Sequence, residues 1–249
     1  MGGQLWTVTI ARARVGSLST ARALLPAALV PLVVAGCAGQ LSTLDPAGPQ
    51  AQQMADLGWL MFGLSVAIMG LVSVLIGWAL WRARRPREDE PPPVSPTKLI
   101  LGGGVLLPLM VLPVIWVLSL GQMGNLARPA EPLTLVIEVT GRQFEYQVDY
   151  PGHAASLRNE IRMPTGEPVL FRLRSEDVIH SFWVPRLGGK VDLVPGQLNE
   201  HWLEASVAGT YEGRCAEYCG IGHTAMGLVV IAQEPADFAA WLAAQEASE

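Results

Sequence analysis

Hydrophobic positions in the 249-residue chain fall in two textures. Towards the N-terminus they form unbroken runs. An apolar stretch from Leu24 to Ala35 follows Arg12, Arg14 and Arg22, the basic-then-apolar layout of an export signal over residues 1–36. Residues 37–56, with Asp45-Pro46-Ala47-Gly48-Pro49, read as an irregular exported linker because proline and glycine break regular elements. An uncharged run from Leu57 to Trp81 and another from Leu99 to Leu120 are each long enough to span a bilayer, predicting a transmembrane hairpin within residues 57–127. From Leu133 the texture changes to strand-like alternation, as in Leu133-Thr134-Leu135-Val136-Ile137-Glu138-Val139, with further short runs at 169–173, 227–231 and around Trp202. Turn pairs Pro151-Gly152, Gly188-Gly189 and Pro195-Gly196 separate them, and a helical period returns only at 235–247. Residues 128–249 therefore read as one all-β domain with a short terminal helix.

Charge orients this plan. Arg82, Arg84, Arg85 and Arg87 directly follow the first long run, and basic residues in short loops stay cytoplasmic. Both chain ends then lie on the outer side of the membrane. Val34-Ala35-Gly36-Cys37 resembles the cleavage box of bacterial lipoproteins, in which the cysteine is lipidated on that same outer face. Residues 1–127 carry a net charge of +3 and residues 128–249 a net charge of −8, which disfavours nucleic acid as a partner and favours a basic protein at low salt.

The chemistry concentrates in Cys215-Ala216-Glu217-Tyr218-Cys219-Gly220-Ile221-Gly222-His223-Thr224-Ala225-Met226. Two thiols, an imidazole and a thioether within twelve residues are the donor types that select copper: thiolate and thioether favour Cu(I), and imidazole accepts either copper state. Three other readings compete. A Cys215–Cys219 disulfide suits an oxidising compartment but leaves His223 and Met226 without a role. A Cys2His2 zinc site has no use for Met226. A one-copper blue site needs one cysteine only. Two coppers bridged by both sulfurs use every donor and require one more imidazole, from His153, His180 or His201. His180 ends an apolar-flanked stretch from which a strand can present it beside the loop.

At this point the sequence resembles the subunit II family of cytochrome c oxidases. The resemblance spans nearly everything after residue 36: the hairpin, Asp177-Val178-Ile179-His180-Ser181-Phe182, Gly189-Lys190-Val191-Asp192 with Pro195-Gly196-x-x-Asn199, and the whole Cys215–Met226 loop. It implies a cupredoxin-like β-barrel on a transmembrane hairpin in the bacterial inner membrane, with the barrel on the periplasmic side. It also implies a dinuclear copper A centre of two copper ions. There Cys215 and Cys219 bridge, His180 and His223 supply one imidazole per copper, Met226 is a weak ligand and the backbone carbonyl of Glu217 completes the set. The Glu217 carboxylate would face the large catalytic subunit and help hold magnesium. Implied partners are subunits I and III of a haem–copper oxidase and a cytochrome c, whose electrons pass through copper to haem in subunit I, where oxygen is reduced. No Cys-x-x-Cys-His haem motif occurs in the sequence, so the donor is expected to be a separate protein.

Two departures stand out. Relatives carry a tryptophan for electron uptake after Gly-His-Gln, whereas this chain reads Gly141-Arg142-Gln143-Phe144-Glu145-Tyr146, leaving Phe144 and Tyr146 as the aromatic candidates. Relatives also place a glutamate and a Trp-Thr pair before a proline in the second helix, where this chain has Leu101, Gly104 and Val105 ahead of Pro108. The Gly102-Gly103-Gly104 run is expected to allow close helix packing. Three other assignments fit less well. Quinol oxidase subunit II lacks the copper ligands. Copper-delivery lipoproteins with Cys-x3-Cys need βαβ alternation. Nitrous oxide reductase carries a similar loop in a larger soluble chain.

Overall fold

The computed structural model describes residues 38–84, 95–127, 133 and 135–247. Cys37, the leader before it and the loop 85–94 lie outside the described residues. Helix α1, Pro49–Ala83, begins with proline at its first position, where the missing N–H costs nothing and the fixed φ suits the helix. The linker expected to be irregular through residue 56 therefore ends at Gly48, because Pro49 starts the helix. At 35 residues α1 is about 52 Å long. That exceeds the roughly 30 Å of a bilayer core, and the first two turns, where Gln50, Ala51 and Ala55 are buried against the β-domain, take up part of the excess.

The second long segment runs as a short turn, Pro96–Leu99, a π-helical stretch, Ile100–Leu106, and α2, Leu107–Ala127. Pro96–Gly124 and Pro49–Ala83 are both long and apolar enough to cross a membrane. Among the described residues nothing comes within 4 Å of where a Cβ would stand at Gly102, Gly103 or Gly104, so α1 is not a neighbour that these glycines accommodate. They fall in the π-helical stretch instead, where the backbone departs from its usual spacing.

Among the described residues the β-domain has ten strands. One sheet takes the order β3 (Ser156–Arg158), β2 (Glu145–Asp149), β1 (Leu135–Arg142), β5 (Val169–Ser175) and β8 (Asn199–Leu203). A second pairs β4 (Glu160–Pro164), β10 (Gly227–Gln233) and β9 (Gly209–Arg214), and a ribbon joins β6 (His180–Phe182) to β7 (Val191–Leu193). The pairs β1–β5 and β4–β10 are parallel and the others antiparallel. Alternate residues point inward, as the period of two requires: Ile137 and Val139, Phe171 and Leu173, Ile161 and Met163, Leu228 and Val230 are fully or almost fully buried between the sheets. Helix α3, Pro235–Glu246, closes one side with Phe238 and with Trp241, which meets Tyr150 edge-on at 5.4 Å.

Residues 45–51 form a strap across the barrel. Ala47 donates to the Arg186 carbonyl (2.7 Å) and accepts from Ser206 N–H (2.8 Å), and the Gln50 side chain donates to the Trp202 carbonyl (2.8 Å). A Cβ on Gly48 would stand 2.2 Å from the Glu204 carbonyl oxygen, a contact that backbone cannot relieve locally. Gly48→Ala is therefore expected to destabilise the solubilised protein by about 1–3 kcal/mol, the usual cost of overpacking. Thermal unfolding monitored by circular dichroism reads this, and an unchanged midpoint would mean that the strap does not hold.

Candidate metal centre

Strands β9 and β10 are antiparallel neighbours, with Arg214 opposite Gly227, and residues 215–226 connect them. The ladder continues one step into the connection, where Cys215 N–H donates to the Met226 carbonyl (3.1 Å). The first and last sulfur donors of the loop are thereby fixed across from each other. Within it, His223 N–H returns to the Gly220 carbonyl (3.1 Å), and a single turn over His223–Ala225 brings Met226 back to the barrel. Gly220 holds φ +132°, a conformation favouring glycine, and a Cβ on Gly222 would lie 2.5 Å from the Phe144 ring.

The loop and ribbon β6–β7 converge on a buried cluster. Single donor atoms of His180, Cys215 and Cys219 all lie within 4.8 Å of one another. The two sulfurs are 3.9 Å apart, so the cysteines are free and not disulfide-bonded. Cys219 Sγ lies 3.7 Å from His223 Nδ1 and 3.7 Å from Met226 Sδ, and Cys215 Sγ lies 3.2 Å from the Glu217 carbonyl oxygen. All six sequence-predicted donors thus meet in one place. His153 pairs with Glu246 (2.7 Å), and His201, half-buried on β8, is not in the group of close donor atoms; loss of hydration pulls its imidazole down to about 4.

The tautomer of His180 can be assigned. Its Nε2 lies 2.8 Å from Asp177 Oδ1. Asp177 is disfavoured by burial, but hydrogen bonds from His180 and from the N–H groups of Gln143 (2.8 Å) and Val178 (2.6 Å) hold its carboxyl below the usual range. An ionised carboxylate only accepts, so Nε2 carries the hydrogen and Nδ1 keeps a lone pair. That Nδ1 is buried without a hydrogen-bond partner. A buried acceptor with no donor is costly, and a soft metal between the sulfurs removes the cost. A sulfur separation of 3.9 Å is also within reach of two metal–sulfur bonds of about 2.3 Å each.

Several contributors carried no signal in the donor spacing. Gly141 makes room for the His180 ring, since a Cβ there would stand 3.0 Å from its Cδ2. Gln143 donates through Nε2 to the Cys219 carbonyl (2.5 Å) while its backbone binds Asp177, so one residue ties the two donor-bearing segments together. Asp177, three residues before His180, was legible only as a carboxylate at that offset.

The remaining sequence candidates separate. Phe144 is partly exposed and lies against Gly220 and Gly222. Tyr146 is fully buried, its hydroxyl donating to the Ser181 carbonyl (2.7 Å), and burial with the nearby Cys215 pushes its phenol well up. It supports the cluster from beneath and cannot itself meet a partner, which removes it from the electron-uptake candidates. The Glu217 carboxylate is engaged by Lys190, which also reaches Asp192 (3.2 Å).

The chain is similar to several known proteins. A family model described as cytochrome c oxidase subunit II, periplasmic domain, matches residues 135–233. The chain is 37% identical over 237 residues to cytochrome c oxidase subunit 2 of Alkalihalophilus pseudofirmus, covering 90% of this chain and 68% of that one. It is 30% identical over 226 residues to quinol oxidase subunit 2 of Bacillus subtilis, covering 86% and 68%. A crystal structure of the periplasmic domain of subunit II of cytochrome oxidase from Bradyrhizobium japonicum is 28% identical, with a TM-score of 0.45 over 47% of this chain and 97% of that one.

Burial, reinforced by Cys215, pushes the Cys219 thiol up to about 11, so a metal taken by the sulfurs must displace protons. Apparent copper affinity is expected to fall on acidification between about pH 8 and pH 6, by roughly tenfold to a hundredfold per unit for one or two displaced protons. Competition titrations against a chelator measure it. A pH-independent affinity would show that the sulfurs do not bind the metal.

Proposed function

The chain belongs to the cytochrome c oxidase subunit II family, and from this premise we propose that it is the electron-accepting copper subunit of a respiratory haem–copper oxidase. The observation that carries the proposal is the buried cluster itself: two free sulfurs 3.9 Å apart facing an imidazole nitrogen that has no hydrogen-bond partner among the described residues. Cys215 and Cys219 would be the shared sulfur donors to two copper ions, with one imidazole each from His180 and His223, Met226 as a weak thioether ligand and the Glu217 carbonyl completing the set; the closeness of these atoms supports the reading. When bound, the copper pair supplies a site that accepts and returns one electron at a time.

The protein's own residues limit what changes during that cycle. Asp177 keeps the His180 ring oriented and its Nδ1 free, as an outer carboxylate does for many metal-bound histidines. Gln143 fixes the loop carbonyl between the second sulfur and Gly220. The ladder bond between Cys215 and Met226 prevents the loop ends from parting. With donors held this way, little rearrangement accompanies a change of charge, which suits a relay more than a site that binds and transforms a substrate.

Haem in subunit I is the electron's destination under this reading, and oxygen is reduced there. Subunit III accompanies the complex, and a separate cytochrome c supplies the electrons. Arg82, Arg84, Arg85 and Arg87 support a cytoplasmic loop between the helices and a barrel that faces the periplasm, where lipid on Cys37 would add a second anchor. Relatives include a quinol oxidase subunit 2. The complete donor set favours the cytochrome-linked reading, since the quinol-linked type lacks these ligands. Magnesium at Glu217 has weaker support, because a cation there would have to displace Lys190.

Copper-loaded, detergent-solubilised full-length protein is expected to contain two coppers per chain, and electron paramagnetic resonance is expected to show one unpaired electron shared between them. A single copper per chain, or a preference for zinc, would overturn the reading. Met226→Leu tests the weakest ligand: the copper pair is expected to persist with a shifted reduction potential in spectroelectrochemical titration. An unshifted potential would remove Met226 from the ligand set.

A further inference from the structure

We propose that the redox partner docks through an apolar face, on a patch formed by Phe144, Val178, Ile179, Tyr218 and Ile221, with little electrostatic guidance. This rests on the electron-uptake reading above and specifies the chemistry of the partner. Ile221, between Cys219 and His223, is 99% exposed, and Tyr218, between Cys215 and Cys219, is 78% exposed. Phe144, Val178 and Ile179 are each between 37% and 47% exposed. These residues belong to one surface. Phe144 lies against Gly220 and Gly222 of the copper loop, the Tyr218 ring meets His223 edge-on at 5.7 Å, and Gln143 joins the 177–179 segment to Cys219.

None of these side chains is among the metal donors of the cluster. Ile221 fills no space in the barrel, and the ligand loop already has its turn from Gly220 and Gly222. An apolar patch grouped over a buried redox site marks an interaction surface, because covering it removes the area from water at roughly 25 cal/mol per Å².

The rim identifies the occupant. Glu145 is paired with Arg142 and with Arg158 (3.2 Å), Lys190 with Glu217 and with Asp192 (3.2 Å), and Asp177 is committed to His180 and two backbone N–H groups. The first of these clusters has a surplus positive charge and the second a surplus negative one, and Arg174 and Glu176 next to Asp177 are opposite in sign. A partner presenting a ring of lysines would have to break existing pairs to gain its own, and exchanges of this kind between exposed ions yield little. Part of the domain's negative excess lies elsewhere: Glu234 and Asp237 follow β10, whose seven residues carry them about 20 Å from the end of the copper loop, beyond two Debye lengths at physiological salt. A partner with an apolar contact face loses nothing at this rim and covers Ile221 and Tyr218.

The test uses the intact oxidase and two reduced monohaem cytochromes c, one with a lysine ring around its haem edge and one with an apolar edge. Stopped-flow reduction of the copper absorption is followed between about 10 and 200 mM salt. The apolar-edged donor is expected to react faster at the upper salt, with a second-order constant that changes less than about twofold over the range. Ile221→Ser and Ile179→Ser are each expected to lower that constant at least about fivefold while copper content and absorption stay unchanged. The proposal is overturned if the lysine-ringed donor is faster at the upper salt, if both donors slow about tenfold as salt rises, or if both variants leave the rates unchanged. If neither donor reduces a copper-loaded centre, the electron-uptake reading itself fails.

Discussion

Two sulfur atoms and an imidazole nitrogen, buried where no protein donor satisfies them all, have to be kept adjacent without collapsing onto one another. The barrel achieves this through one continuation of its own hydrogen-bond ladder. Because Cys215 N–H binds the Met226 carbonyl directly beyond the β9–β10 pairing, the loop between them is closed at its base, and its length then decides where the remaining donors fall. Cys219 and His223 come back over Cys215 because ten residues joining adjacent strand ends must double back, and the glycines at 220 and 222 allow the tight return beneath the Phe144 ring.

Ribbon β6–β7 brings the sixth donor from a different part of the chain, and its placement depends on two small concessions in β1. Gly141 leaves the space that the His180 ring occupies, and the residues after it supply Gln143, whose backbone and side chain hold Asp177 on one side and the loop on the other. Losing the Asp177 charge would leave both nitrogens of a buried imidazole uncommitted. The depressed carboxyl keeps the interaction intact at neutral pH, and it weakens only as pH falls through that lowered value. The site is therefore a property of three segments, at 141–144, 177–180 and 215–226, that are distant in sequence and joined by few hydrogen bonds.

Much of this was readable before any fold was in hand. The twelve-residue loop announced copper through donor types alone, and alternation at 133–139, 169–173 and 227–231 marked strands that occur as β1, β5 and β10. Apolar runs marked both long helices. The misses share a cause. In the sequence Pro49 reads as a breaker, although proline is equally suited to a helix's first position, and only the docking of Gln50 and Ala51 on the barrel selects the helical alternative. Tyr146 stands beside Phe144 as an aromatic candidate in the sequence, since alternation does not say which phase faces inward until the opposing sheet is present. Gln143 and Asp177 act across 34 residues, and no local pattern encodes a hydrogen bond over that separation.

The same long-range economy bears on how the membrane part and the barrel are related. Under the proposed reading, a relay would be only as dependable as the distance between its copper and the next redox group, and that distance would be set by how the barrel is held over the helices. A free linker before α1 would let it sway. Here the strap leaves no such freedom on its side: Ala47 is bonded to both Arg186 and Ser206, Arg186 is in turn bonded to the Asp45 carbonyl (2.8 Å), and Gly48 fits where no side chain could. Because the strap runs straight into α1 through Pro49, and Gln50 reaches the Trp202 carbonyl from the first turn, the helix is an extension of the barrel's packing. Rigidity at the copper loop and rigidity at the membrane junction are thus achieved by the same means. In both places backbone hydrogen bonds cross between segments distant in sequence, around glycines that permit the approach.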